Sequence, residues 1–494
     1  MKLIYQVEDK PKFPQLLVFA LQQLLAIMTA TLVVPVIIND NIAAAIEKEE
    51  ISWALTKQMS PAAALFGAGI GTLIYLFFTK KKSPVFLGSS FAFIGSMTSA
   101  FTGAATMALG YLGLLFGALL AGLVYVIIAI VVKFCGSKWI EKLMPAVVIG
   151  PTVAIIGLSL ANNATKDLVK AIAENKDKGI IGTEPKIALL CGLVTLFVTM
   201  ISSVYGKKSG KLIPFIYGIL AGYVFALILT VLGKYVFNSP EMCVLTATPF
   251  RNLLDNGKAT AATFVTAPDF TFLNAKGAFS EFSRSYFATI FVAYVPVAFV
   301  VFAEHIADHM NISSIIERDL LEEPGLHRTL LGDGVGSVAG AFFGGCPNTT
   351  YGESIGCVAI TKNASVVSIF TAAIGAILIS FFSPFIAFVN SIPSCVMGGV
   401  CMALYGFIAV SGLKMIQKVD LNDNRNLFVV SVILIAGVGG LVVHFGQVEI
   451  TAVACALILG ILTNILLKGA NGDIEEYEEE FVEVDVVEEI SEDK

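Results

Sequence analysis

Three carboxylates stand where a carboxylate is costly. Glu304 lies near the end of a long apolar run, Tyr286 to Ile312, and Asp308 follows one helical turn later. Residues four apart share a helix face, so the two carboxyl groups look into the same space about 6 Å apart. An acidic group inside a bilayer span usually faces a water-filled cavity or a substrate path. Glu353 is the third, in the stretch Gly344-Gly-Cys-Pro347-Asn-Thr-Thr350-Tyr-Gly352-Glu353-Ser-Ile-Gly356. Pro347 and the glycines break the helix before Tyr351, whose neighbours favour a short extended stretch, and Glu353 then opens a new helix. A carboxylate in a first turn is favoured by the helix dipole, and the adjacent free N–H groups can donate to a ligand's carbonyl. Two acids one turn apart repel when both are ionised, so one should hold a proton, and the chemistry suggested is proton coupling. The plainer alternatives are a helix opener for Glu353 and carboxylates satisfied by a neighbouring helix or by the interface for Glu304 and Asp308. His305 and His309 lie off the shared face by about 100° and 140° and read as packing or interface residues.

The elements that must hold these groups are membrane spans. The chain has 494 residues, 56% hydrophobic and only 14% charged, against roughly 25% charged in a soluble globule. Apolar runs recur along almost its whole length, each able to cross about 30 Å of hydrocarbon. The fold class expected is an all-α polytopic membrane protein of about fourteen segments. The intervals are 14–37, 59–79, a short broken piece 84–101, 104–133, 141–161, 186–206 and 211–236, then 285–312, 327–343, a short broken piece 345–361, 364–389, 392–413, 426–444 and 448–468. The start, Met1 to Phe13, is polar and the first run carries no small-residue cleavage site, so the first span is expected to stay as an anchor. Lys2, Lys10 and Lys12, Lys80 to Lys82, Lys133, Lys138 and Lys142, Lys207, Lys208 and Lys211, Arg318 and Arg328, and Lys414, Lys418 and Arg425 all fall inside if both termini are cytoplasmic, as the positive-inside rule requires.

The halves echo each other. Ser89-Ser90-Phe91-Ala92 in the third segment matches Thr349-Thr350-Tyr351-Gly352 in the tenth, and Pro145 to Gly150 in the fifth matches Pro393 to Gly398 in the twelfth as PxxVxG. An odd number of segments per half makes the two copies enter the bilayer in opposite senses, which is an inverted repeat. In such carriers the site lies where paired, Gly/Pro-interrupted segments meet near the midplane, and the third and tenth are that pair.

The remaining composition excludes more than it suggests. The eight cysteines form no CxxC or Cys/His cluster, so no metal site and no cofactor are implied. The net charge of −6 comes mostly from the tail, Asp473 to Asp493, read as a solvated, disordered acidic run over 469–494. No basic stripe suggests nucleic acid, and no nucleotide loop or nucleophile with its base suggests an enzyme. Buried carboxylates argue against an anion exchanger, and broken helices suit a gated site better than an open pore.

At Ala303-Glu304-His305, Pro324-Gly325-Leu326-His327-Arg328 and Pro347-Asn-Thr-Thr350-Tyr-Gly352-Glu353 the chain resembles the nucleobase–ascorbate transporter family, in its bacterial uracil permease branch. Gly88-Ser-Ser-Phe91-Ala-Phe93 and Gln22-Gln23 with Val34-Pro35-Val36 extend the resemblance, which runs from about Pro14 to Leu467. It implies a core domain of segments 1–4 and 8–11 (14–134 and 285–390) and a gate domain of segments 5–7 and 12–14 (135–236 and 391–468). Outside these lie a cytoplasmic N-terminus (1–13) and an extracytoplasmic loop (237–284). It implies import of a nucleobase with protons by alternating access, in a homodimer in the plasma membrane. Carried onto this chain, Glu304 and Glu353 would accept from pyrimidine N–H groups, and backbone N–H groups around Phe91, Gly352 and Glu353 would meet the carbonyls. Phe91 and Tyr351 would line the pocket, and Asp308, Glu304 and Glu353 would couple the proton. Three positions depart from the branch: Asp308 stands where it usually has His, Ser354 follows the glutamate where Asn is expected, and Gln23 stands where it often has His. Uracil is the expected substrate, with xanthine or another purine the alternative.

Overall fold

The computed structural model describes residues 3–136, 138–170, 183–255, 257–445 and 448–467. The acidic tail and half of the expected loop 162–185, residues 171–182, therefore lie outside the described residues. The first half runs α1 (Phe13–Glu47), α2 (Pro61–Phe78), β1 (Leu87–Ser89), α3 (Ile94–Thr102), α4 (Met107–Cys135), α5 (Lys138–Leu143), α6 (Ala146–Ser159), α7 (Ala161–Leu168), α8 (Pro185–Tyr205), α9 (Lys208–Leu212) and α10 (Pro214–Tyr235). The loop after it carries three four-residue helices, α11 (Thr248–Arg251), α12 (Ala261–Phe264) and α13 (Thr271–Asn274). The second half runs α14 (Arg284–Ile316), α15 (Leu326–Gly344), β2 (Asn348–Thr350), α16 (Gly352–Thr361), α17 (Val366–Ile379), α18 (Ser383–Ser391), α19 (Ser394–Ile416), α20 (Asn424–Val438), β3 (Val443–Phe445), β4 (Val448–Ile450) and α21 (Ala452–Leu466).

Among the described residues eight helical stretches, α6 and α7 counted together as Ala146–Leu168, are long and apolar enough to cross a membrane, and three shorter apolar helices accompany them. Large apolar side chains stay exposed along α4 (Leu119, Leu123, Ile127), α8 (Leu190, Phe197, Ile201) and α10 (Leu220, Val224, Ile228). Such an outer surface is suited to acyl chains rather than water, and the protein is a multi-pass membrane protein.

Elements at the same ordinal position in each half pack on one another. Helix α2 lies against α15, β1 against β2 and α6 against α19. Helix α15 also packs on α4, and α14 on α4; in a second group α8 packs on α10 and α19, and α20 on α6 and α21. Glycines set the α2–α15 approach. A Cβ on Gly67 would stand 2.4 Å from the Gly340 carbonyl oxygen, and one on Gly71 2.8 Å from the Gly336 oxygen. At such distances a Cβ cannot be accommodated without moving backbone, so small residues let the helices touch along their main chains.

Three of the differences from the expected intervals have a clear local reason. Helix α1 runs ten residues past the expected end at 37, because Asn39 is satisfied inside the protein: its Oδ1 accepts from the Met59 N–H at 2.8 Å and its Nδ2 donates to the Met59 carbonyl at 3.0 Å. Beyond it, Asp40 meets Lys170, just past α7, at 2.7 Å. The interval 364–389 is two helices, since Pro384 starts α18 in its first turn. The interrupting segment bonds sideways, with the Thr266 N–H donating to the Phe381 carbonyl at 3.1 Å. The junction between the last two intervals is an antiparallel pairing of β3 and β4 that sets Val443 against Ile450, both β-branched residues suited to a strand.

The close α2–α15 packing gives a direct test. Gly67→Ala should destabilise the purified protein by about 1–3 kcal/mol through overpacking, read as a lowered unfolding temperature in detergent, while Gly356→Ala, whose Cβ would meet open space, should leave it unchanged.

Candidate functional site

The site begins with two broken helices. Helix α15 stops at Gly345, whose φ of +77° lies in the left-handed region that favours glycine. The chain then runs extended through β2, which pairs antiparallel with β1 in the register Leu87 to Thr350, Gly88 to Thr349 and Ser89 to Asn348. The Ser90 N–H donates to the Pro347 carbonyl at 2.9 Å and the Tyr351 N–H to the Phe86 carbonyl at 3.2 Å, lengthening the ladder at both ends. The ladder is tied to α2 by side chains: Thr72 Oγ1 of α2 accepts from the Leu87 N–H at 2.9 Å, and Asn348 Nδ2 of β2 donates to the Gly67 carbonyl of α2 at 3.1 Å. Helix α16 starts directly after this crossing, with Tyr351 as its N-cap and Glu353 in its first turn, so its first N–H groups have no intrahelical acceptor.

A cavity of about 300 Å³ lies against that helix start. Its wall includes Glu304 and Asp308 of α14, Thr349 to Glu353, and Phe91, so all six residues singled out for substrate or proton (Glu304, Asp308, Glu353, Phe91, Tyr351, Gly352) border one space. Gly352 and Gly356 present no side chain there, and a Cβ on either would meet nothing within 4 Å. Phe215, Phe407 and Ile408 bring in α10 and α19, and Lys211 of α9 also borders the cavity.

Geometry separates the roles of these residues. Asp308 accepts a hydrogen bond of 2.7 Å from the Thr350 hydroxyl, which ties α14 to the end of β2. The Tyr351 hydroxyl donates to the Ser89 carbonyl at 2.7 Å, and its ring lies where a Cβ on Gly88 would come within 2.4 Å. Phe91 meets Tyr405 of α19 edge to face, with ring centroids 5.7 Å apart.

The histidines one residue along α14 turn the other way. His309 Nδ1 donates to the His305 carbonyl at 2.7 Å, which leaves its Nε2 to accept from the Tyr75 hydroxyl at 2.7 Å. His305 meets Asp333 of α15 at 2.7 Å and the Thr329 hydroxyl at 3.0 Å. Thr329 donates its one proton to the Leu326 carbonyl, so His305 Nε2 must be the donor to Thr329. The remaining nitrogen either donates to a carboxylate or accepts from a carboxylic acid, and the His305–Asp333 pair is net neutral in both cases. Sequence reasoning passed over Asp333, although a lone acid in an apolar interval carries the same signal as Glu304. It also passed over Thr350 as a partner for Asp308.

Gly88→Ala should displace the Tyr351 ring and destabilise the protein by about 1–3 kcal/mol. Tyr351→Phe, which keeps the ring and removes the hydroxyl that bonds Ser89 and Thr31, should cost about 1 kcal/mol. Unfolding temperatures of both variants in one detergent check the order.

The Permease family model Xan_ur_permease matches residues 14–446. The chain is 36% identical over 474 residues to the uracil permease of Bacillus caldolyticus, covering 95% of each chain. It is 34% identical over 464 residues to the uracil permease of Escherichia coli K12, covering 94% of this chain and 93% of that one. Among solved structures, the transmembrane domain of the cyanobacterial bicarbonate transporter BicA shares the fold with a TM-score of 0.54 at 15% identity, covering 93% of this chain and all of that one (100%). The mouse anion transporter Slc26a9, in its inward-facing state, does so with a TM-score of 0.58 at 11% identity, covering 94% and 69%. The chain therefore belongs to this permease family, the nucleobase–ascorbate transporters that its Pro347–Glu353 motif resembles, and is a multi-pass membrane transporter rather than an enzyme.

Proposed function

We propose that the protein is a proton-coupled symporter that imports a nucleobase, uracil, across the plasma membrane by alternating access. The observation that carries this reading is the meeting, around one cavity, of the Glu304 and Glu353 carboxyl groups with the first turn of α16. Uracil offers two N–H donors and two carbonyl acceptors, which complement carboxylate acceptors and backbone N–H donors. A pocket built to pair these groups rejects analogues lacking them, because its own buried polar groups would stay unpaired. The full-length likeness to proteins named uracil permease supports the same ligand class.

In this reading Phe91 and Tyr351 cover the ring, and Gly352 leaves room for it against the helix start. Asp308, one turn from Glu304 and held by Thr350, serves the proton. Three carboxyl groups facing one cavity repel one another when all are ionised, so proton and substrate arrive together. The same crowding of negative charge disfavours an anion as cargo. The working unit has about fourteen segments, divided into a core domain (14–134 and 285–390) and a gate domain (135–236 and 391–468), with both termini in the cytoplasm. Two such chains pair as a homodimer. Movement of the gate group, which brings Phe215, Phe407 and Ile408 to the cavity, past the core group would open the site to each side in turn.

Labelled uracil uptake into proteoliposomes tests the reading. Glu353→Gln and Glu304→Gln should each weaken binding about 10- to 100-fold, the range for a hydrogen bond to a charged group, in protein that still inserts and folds. Retained binding in both removes these residues from the site. Uptake should acidify the vesicle interior and survive replacement of sodium by potassium; uptake that vanishes without sodium overturns proton coupling. Asp308→Asn should abolish proton-driven accumulation while changing binding less. Competition by xanthine that outruns uracil would assign the site to a purine.

A further inference from the structure

One buried polar contact outside the cavity reaches the helix turn that carries Glu353. Gln23 of α1 is only 3% exposed, and its Nε2 donates to the Ser354 hydroxyl and, at 3.3 Å, to the Ser354 carbonyl. The Ser354 Oγ, itself fully buried, also receives the Phe86 N–H at 3.0 Å. Phe86 uses its carbonyl for the Tyr351 N–H. The residues two before and one after Glu353 are thus fixed by the strand entry, and the second of these anchors is completed by Gln23. Gln23 does not border the cavity, whereas Glu353 does.

A primary amide buried in an apolar span is costly unless its polar atoms are paired. Here the donor end is directed wholly at one residue, and that residue adjoins the carboxylate proposed to recognise substrate.

We propose that Gln23 is a positioning residue: acting through Ser354, it fixes the direction of the Glu353 carboxyl group and of the first-turn N–H groups of α16, without touching substrate. This rests on the reading of Glu353 as substrate-binding. Loss of the tie lets the first turn of α16 rotate, so the substrate meets a less ordered set of partners. Affinity falls while the machinery of the transport cycle is intact.

The experiment is nucleobase uptake by proteoliposomes, normalised to folded transporter, for the native chain and for Gln23→Met, Ser354→Ala, the double variant and Ser354→Thr. Gln23→Met keeps the length of the side chain and removes its donor. It and Ser354→Ala should each raise KM roughly tenfold, the worth of one or two buried hydrogen bonds, with Vmax within about twofold. The double variant should be no worse than Ser354→Ala, which cuts the Gln23 tie together with the Phe86 bond, and Ser354→Thr, which keeps the hydroxyl, should behave as native. A native KM in Gln23→Met, a loss confined to Vmax, or a double variant showing the product of the single losses overturns the proposal. Absence of uptake by the native chain overturns the transport reading and this one together, whereas native uptake with unchanged Gln23→Met kinetics overturns this one alone.

Discussion

Backbone amides cannot be left bare where water is absent, and that constraint governs the centre of this protein. A broken helix in a membrane protein frees N–H and C=O groups that lipid cannot bond. Here two breaks answer each other, because β1 and β2 pair across the middle of the molecule. The groups that the ladder leaves over go to hydroxyls: the Phe86 N–H to Ser354 and the Leu87 N–H to Thr72. The glycine contacts between α2 and α15 belong to the same solution, since only helices in main-chain contact can hold so short a ladder between them. The N–H groups of the first turn of α16, which have no intrahelical acceptor, are what remains of the break, and the candidate site is built on them.

Helix α14 shows how one element serves two surroundings. Its residues 304 and 308 face the cavity, and its residues 305 and 309 face α15 and α2, where each histidine is paired by a neighbour. A rotation of α14 by one residue would carry the two acids out of the cavity and onto the face now held by the histidines, where a carboxylate would meet Asp333. The His305–Asp333 and His309–Tyr75 contacts resist such a rotation from one side, and the Thr350–Asp308 bond resists it from the other. The neutral pair therefore has a role in holding register even though it lies away from the cavity.

Much of this was legible in the sequence, in particular wherever an apolar run or its interruption carried the signal. The i, i+4 spacing of Glu304 and Asp308 and the Pro/Gly break before Glu353 located the cavity wall without coordinates. Boundaries failed where polar residues find partners far along the chain. Asn39 ends an apolar stretch on paper, yet its two bonds to Met59 let α1 continue. Pro384 sits inside an apolar interval and is silent until the chain is seen to turn there. Gln23 and Ser354 each stood out as departures from a family pattern, but a contact 331 residues apart leaves no trace in local spacing. Asp333 was visible as a residue and invisible as a partner, because nothing in periodicity aligns α15 with α14.

The tie between Asp40 and Lys170 has a different character from these interior contacts. Both side chains are partly open to the medium, at 31% and 43% exposure, so dissolved ions reach them, with a Debye length of about 10 Å at 0.1 M salt. A pair of that kind is worth no more than about 1 kcal/mol. The join between the far end of α1 and the end of α7 is accordingly a weak electrostatic clasp that loosens as the surroundings become more saline, while the hydroxyl-capped ladder beneath it does not respond.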